Sequence, residues 1–163
     1  MPALTEWRVP PANQPRPGDY GFDLDRTLAS VVGLHSMIPP DASSAETLGT
    51  ERAGNGVVID PAGLVLTIGY LITEAESVTL TTVDGRKAPA HVLGFDHVTG
   101  LGLVHALEPL GVPALKLGDS RKLKPDDPII VAGGGGAAHA LVGEIVAREA
   151  FAGYWEYRLE EAL

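Results

Sequence analysis

The sequence predicts an all-β protein with one complete antiparallel barrel followed by part of a second barrel. Short apolar runs rich in β-branched residues recur along the chain, and clusters of Gly, Pro and Asp separate them. The segment before Gly133 shows the two-residue alternation of strands rather than the longer period of helices. Closing six strands into a barrel removes the exposed edges of the sheet, which makes this the expected arrangement.

The first segment, 1–24, is predicted to be an extended arm. It contains five prolines, each of which fixes φ and removes a backbone donor. It lacks the apolar stretch of a secretory signal, and no run in the chain is long enough to span a bilayer. As written, the sequence therefore predicts a cytoplasmic protein.

Residues 25–108 are predicted to form the complete barrel. Asp84 and Gly85 make a preferred two-residue hairpin turn between two of its strands, and 39–50 has the composition of a loop. The predicted strands are 28–37, 57–59, 64–67, 78–83, 88–95 and 101–106.

Residues 109–127 are predicted to be a crossover linker, because prolines and glycines punctuate their first part. The last segment, 128–163, offers three predicted strands, at 129–132, 138–147 and 152–159. Three strands do not close a barrel, and an open sheet edge tends to pair with another strand. We expect either a partner chain to complete this half-barrel or the sequence to be a fragment of a longer protein.

Composition excludes several classes of partner. The chain has 163 residues, of which 45% are hydrophobic, enough for a folded core. With 12 basic and 21 acidic residues its net charge is -9, which argues against nucleic acid and anionic membrane surfaces as partners. The absence of cysteine excludes a disulfide framework and thiolate metal ligands.

Several motifs follow one another in the order found in one protease family. Segments 54–60 and 63–72 resemble the part of the Deg/HtrA class of trypsin-like serine proteases that delivers the general-base histidine. Segment 96–104 resembles the strand that carries the orienting aspartate, and 113–133 resembles the interdomain linker and the entry to the second barrel. The resemblance covers about 30–162 and implies a trypsin-like antiparallel β-barrel fold.

The same resemblance implies that the catalytic positions have lost their chemistry. Tyr70 stands where the family has its histidine and Gly100 where it has its aspartate, while the loop with the serine would follow 157–163 and is absent from the chain. A tyrosine hydroxyl is a poor base at neutral pH, and glycine has no side chain with which to orient a base. We interpret Tyr70 as filling the space of the imidazole.

Two interpretations of function follow from this resemblance. The first is an inactive protease homologue, a pseudoenzyme, that binds a protein or peptide, with a second copy of the chain as one candidate partner. The second is a truncated piece of a Deg/HtrA-like serine endopeptidase.

A third interpretation is nucleotide binding through the loop Gly133-Gly134-Gly135-Gly136. After the apolar run 129–132 these glycines resemble a dinucleotide fingerprint, in which backbone amides approach a pyrophosphate at the start of a helix. The pattern of residues 137–147 is compatible with the periodicity of a helix. Glu149 is a candidate for accepting a hydrogen bond from the ribose. The parallel sheet that such a site needs is not predicted, so a flexible turn at the former substrate site is favoured and no cofactor is expected.

Histidines and acidic pairs offer weaker candidates. His97 lies three positions before Gly100 and is conceivable as a relocated base, although no serine is placed to pair with it. His91, Asp96 and His97 match no standard ligand spacing, so no metal site is predicted. The adjacent acidic residues are most simply solvated charges: Asp126, Asp127, Glu160 and Glu161.

Overall fold

The computed structural model describes residues 7–153 and 158–163, which are predominantly β. Two short α-helices lie on either side of the first strand: α1 (Leu24–Leu28) and α2 (Ala45–Leu48). The strands described are β1 (Val31–Met37), β2 (Glu51–Asp60), β3 (Leu64–Ile68), β4 (Ser77–Thr81), β5 (Lys87–Phe95), β6 (Leu101–Ala106), β7 (Pro128–Ala132), β8 (Ala140–Glu144), β9 (Glu149–Ala152) and β10 (Arg158–Ala162). Single 3-10 turns lie at Pro11–Asn13, Pro17–Asp19, Gly69–Leu71, Ser120–Lys122 and Gly136–His139.

Strands β1 to β6 close into an antiparallel barrel in the order β1-β2-β3-β6-β5-β4, with β4 pairing back to β1. The predicted six-stranded barrel is confirmed. Side chains of successive strand residues point to opposite faces, so alternate residues fill the interior. The core includes five residues that are each at most 2% exposed: Val32, Leu34, Val58, Leu80 and Val104.

The second half of the chain forms two separate two-stranded ribbons, β7–β8 and β9–β10. A partial second barrel is therefore confirmed, although the described residues contain four strands where the sequence predicted three. The predicted strand 138–147 is shorter because the turn Gly136–His139 takes up its beginning. The predicted strand 152–159 has its centre, 154–157, outside the described residues.

The start of the barrel differs from the prediction because a helix occupies part of it. The Asp23 side chain accepts a hydrogen bond from the Arg26 amide at 3.0 Å and caps α1. Leu24 and Leu28 are buried on this helix, so the strand predicted for 28–37 begins at Val31. The predicted loop 39–50 likewise contains the short helix α2.

The proline-rich segment is folded where the structure describes it, rather than extended as predicted. Its two 3-10 turns each begin with proline, whose fixed φ suits the first helical position. Val9 is buried, and its amide donates to the Ala138 carbonyl at 2.9 Å. This arm therefore packs against the connection between β7 and β8. None of the helices in the described part of the chain is long and apolar enough to cross a membrane.

The predicted hairpin turn at Asp84 and Gly85 links the barrel to the crossover segment. Gly85 has φ +83°, a conformation that favours glycine. The Asp84 carboxylate accepts hydrogen bonds from the Thr82 hydroxyl and from Arg86 Nε, and these bonds lower the pKa of Asp84 to about 2. Arg86 also donates to the Leu110 carbonyl, which ties the turn to the chain leaving the barrel.

Candidate functional site

Tyr70 and Gly100 lie next to each other at one end of the barrel. Tyr70 belongs to the 3-10 turn Gly69–Leu71, which directly follows β3. The Gly69 amide donates to the Gly100 carbonyl at 2.6 Å. A Cβ at Gly69 would lie 3.2 Å from Phe95 and 3.3 Å from the Gly100 oxygen, so any larger residue here would require these neighbours to shift. The structure thus brings together the two positions that the sequence singled out.

A pocket of about 280 Å³ opens at this end of the barrel. Apolar and polar side chains line it together with Gly100, among them Leu48, Phe95, Tyr70, His97 and Ser44. Tyr70 is 38% exposed, so its ring forms part of the pocket wall rather than part of the core. The pocket is therefore accessible to a ligand that carries an apolar group.

Asp96 organises the turn that carries Gly100. Its carboxylate accepts hydrogen bonds from the Thr99 hydroxyl at 2.7 Å and from the Val98 and Thr99 amides at 3.1 and 3.2 Å. These bonds, that of the Thr99 hydroxyl first, hold the pKa of Asp96 below its usual range. Gly100 closes the turn with φ +72°, and its amide donates to the Asp96 carbonyl. This carboxylate therefore stabilises a turn.

His97 reaches the pocket but is not assembled into a catalytic pair there. Its ring packs edge-to-face against Phe95, with centroids 4.5 Å apart. The nearby Ser44 hydroxyl accepts a hydrogen bond from Arg52 Nη2 at 2.7 Å. No hydroxyl of the described residues is hydrogen-bonded to His97. The relocated base considered from the sequence thus lacks the activated nucleophile that it would need.

Arg52 is a buried charge that holds the pocket together, and sequence reasoning missed it. The residue is 4% exposed, and its guanidinium donates to the carbonyls of Tyr70 at 2.6 Å, Thr73 at 3.1 Å and Gly49 at 3.2 Å. Burial lowers the pKa of Arg52, an effect opposed by the charge of Glu74. The only sequence signal was a charged residue near the start of a strand.

Glu74 completes this arrangement from the other side. It adopts φ +58°, which is uncommon for a residue other than glycine. Its carboxylate accepts from the Ser43 and Ser44 amides at 3.1 and 2.6 Å, and the bonds from Ser44 are the main reason that the pKa of Glu74 is lowered. The two residues Arg52 and Glu74 therefore join the segment around α2 to the turn that carries Tyr70.

The Gly133–Gly136 loop lies away from this pocket and is attached to the barrel. The Gly134 amide donates to Asn55 Oδ1 at 2.8 Å, and the Gly133 amide donates to the His139 carbonyl at 2.9 Å. Strands β7 and β8 on either side of the loop are antiparallel. Where a helix was considered for 137–147, the structure has a four-residue 3-10 turn instead. The nucleotide-binding interpretation is therefore wrong in its structural premise, because the strand–helix unit is absent from this loop.

The other predicted candidates occupy structural positions. Asp127 accepts a hydrogen bond from the Lys124 amide at 2.7 Å, and Glu161 pairs with Arg148 at 3.3 Å. Among residues 7–153 and 158–163, no three His, Asp or Glu side chains cluster so that they could together hold a metal ion.

Comparisons with known proteins agree on one family. The family model described as "Trypsin-like peptidase domain" matches residues 54–161. The chain is 24% identical to the serine endoprotease DegS of Salmonella typhimurium over 117 residues, which are 72% of this chain and 33% of DegS. It is 32% identical to a probable periplasmic serine endoprotease, DegP-like, of Chlamydia pneumoniae over 143 residues, which are 82% of this chain and 28% of that protein.

Solved structures show the same fold. The structure titled "HtrA-type protease AlgWS227A with tripeptide" superposes with a TM-score of 0.64 at 22% sequence identity, covering 77% of this chain and 38% of the other. This chain therefore spans about a third of the length of the proteins that it resembles.

Proposed function

We propose, from the premise that this chain belongs to the trypsin-like peptidase family, that it is part of a Deg/HtrA-like protein whose first barrel has kept the fold and lost peptidase chemistry. The observation that carries the proposal is the hydrogen bond between Gly69 and Gly100, which sets Tyr70 beside Gly100 at the pocket. A serine nucleophile needs a base to take its proton and a carboxylate to orient that base. The proposal assigns those two positions to residues that can do neither.

The serines of the chain support this assignment. Ser30 and Ser36 are fully buried in the barrel, where no substrate can reach them. Ser44 is at the pocket, but its hydroxyl accepts a hydrogen bond from Arg52, a cation that cannot remove a proton. Its other charged neighbour is the Glu74 carboxylate, whose pKa is lowered mainly by its bonds from Ser44. A carboxylate with a lowered pKa is a poor base, so the Ser44 hydroxyl is a weak nucleophile at neutral pH.

The proposed function of this pocket is binding. Leu48 and Phe95 are apolar residues of the pocket lining, and Tyr70 and His97 add side chains with polar groups. Such a combination suits the side chain of an extended polypeptide, which buries its apolar part and leaves its backbone to polar partners. We propose a protein or peptide ligand; a second copy of the chain, pairing with the open ribbons of the second half, is one form of it.

The experiment is an assay of casein cleavage by the purified chain, followed by gel electrophoresis and mass spectrometry. We expect no fragments beyond those formed in buffer, and the same result for Tyr70→Phe. Tyr20→Phe, which changes a tyrosine away from the pocket, is the matched control. A contaminating protease would cleave casein equally in preparations of both variants. Cleavage that disappears in Tyr70→Phe and persists in Tyr20→Phe would mean that the pocket is catalytic.

A second candidate is supported by the coverage of the relatives. The chain spans 33% of DegS and 28% of the DegP-like protein, so a longer protein of this family could carry its chemistry elsewhere. In this alternative the barrel is a scaffold within a serine endopeptidase. The same casein assay separates the two when it is applied to the full product of the native gene: only the second candidate predicts cleavage by that product.

A further inference from the structure

Two histidines lie opposite each other on the outer surface of the barrel. His91 on β5 and His105 on β6 are register partners in the antiparallel pair, and their ring centroids are 5.6 Å apart. His91 is exposed and His105 is half-buried. In the described part of the chain each ring contacts the other and makes no hydrogen bond or ion pair, so the ring nitrogens are available.

The separation of the rings is close to that required by a shared metal ion. A metal–nitrogen bond of about 2.0–2.1 Å and a further distance of about 1.2 Å to the ring centre place each centroid about 3.2 Å from the ion. A tetrahedral angle at the ion then places the two centroids about 5.2 Å apart. The observed 5.6 Å differs from this by less than the movement that rotation of two surface side chains allows.

The strands beneath the rings are fixed in advance of binding. His91 and His105 are held by the continuous pairing of β5 with β6, which includes Ala90 with Ala106 and Val92 with Val104. Binding therefore has to order only two side chains, which lowers its entropic cost. Within residues 7–153 and 158–163, no acidic side chain joins them in a cluster of three, so water would occupy the remaining coordination positions.

From this geometry we propose that His91 and His105 form a two-ligand surface site for a divalent transition-metal ion. Imidazole nitrogen suits Zn²⁺, Ni²⁺ and Cu²⁺, and among these Cu²⁺ binds a given nitrogen site most tightly. The site is separate from the pocket at Tyr70 and does not depend on the proposed function. An ion held by both rings joins β5 to β6 and stabilises the folded state by linkage.

The test is titration of the metal-free protein with Cu²⁺, followed by calorimetry and by electron paramagnetic resonance. We expect one site whose spectrum shows two nitrogen ligands, together with a rise in melting temperature. His91→Gln and His105→Gln should each weaken binding at least about tenfold, because each removes one of two imidazole donors. Both residues lie on the surface, and circular dichroism without metal verifies that each variant is folded.

His35→Gln and His97→Gln are matched controls, because each removes a histidine that lies elsewhere on the barrel. Both should retain the affinity and the two-nitrogen spectrum of the unchanged chain. Equal binding by the unchanged chain and the folded His91→Gln variant would overturn the proposal. The absence of a two-nitrogen spectrum at millimolar Cu²⁺ would also overturn it.

Discussion

Arg52→Met is expected to lower the free energy of unfolding by about 2–4 kcal/mol. Methionine fills a similar volume but donates no hydrogen bonds, so the carbonyls of Tyr70 and Thr73 lose their partner at 2.6 and 3.1 Å. A buried polar group left without a partner costs about 1–3 kcal/mol. Chemical denaturation, followed by circular dichroism, measures the change.

The matched control is Arg121→Met, which makes the same substitution at an exposed arginine. In the described part of the chain Arg121 forms its ion pair with Asp119, two residues away in sequence, and surface pairs of this kind contribute little. The control should therefore leave stability nearly unchanged. Equal losses in the two variants would show that Arg52 does not hold the pocket. Amide chemical shifts at Ser44 and Tyr70 report whether the pocket moves in Arg52→Met alone.

Gly134→Ala is expected to destabilise the contact between the second half of the chain and the barrel by about 1–3 kcal/mol, the typical cost of an added methyl group in a packed site. The new Cβ would lie 2.5 Å from the Gly33 nitrogen and 2.9 Å from the Val32 carbonyl carbon. Both are backbone atoms of β1, so no side-chain rotation relieves the clash. The loop must withdraw and lose its bond to Asn55 at 2.8 Å.

Gly118→Ala is the control for this substitution, because no atom lies within 4 Å of the Cβ that it would add. Hydrogen exchange gives the sharper measurement. In Gly134→Ala the amides of β7 and β8 should exchange faster while those of the barrel core stay protected. Unchanged exchange in both variants would mean that the loop is free of the barrel, as a flexible turn would be.

The barrel was predictable because its signals are local. Each signal depends on residues only a few positions apart in the sequence. These signals are the β-branched runs, the turn at Asp84 and Gly85 and the alternation of strand residues. The strand ends were less accurate, because the capped helix α1 takes up the beginning of the predicted strand 28–37 and the turn Gly136–His139 takes up the beginning of 138–147.

The pocket was predictable only in part. The resemblance singled out Tyr70 and Gly100, and the structure supplied their proximity. The supporting residue Arg52 was out of reach of sequence reasoning because its partners are distant in the chain, the Thr73 carbonyl being 21 residues away. The attachment of the Gly133–Gly136 loop to the barrel was out of reach for the same reason, since Asn55 and Gly134 are 79 residues apart. The pairing of His91 with His105 likewise depends on the register of two strands, which the sequence does not fix by itself.

We infer that the Tyr70 pocket holds no activated nucleophile, and labelling with a fluorophosphonate tests this inference. Such a reagent reacts with an activated hydroxyl, such as a serine whose proton a neighbouring base removes, forming an oxygen–phosphorus bond as fluoride leaves. Intact-mass measurement after prolonged incubation should give the mass of the unmodified chain. An adduct that maps to Ser44 would overturn this inference and establish a working catalytic pair at the pocket.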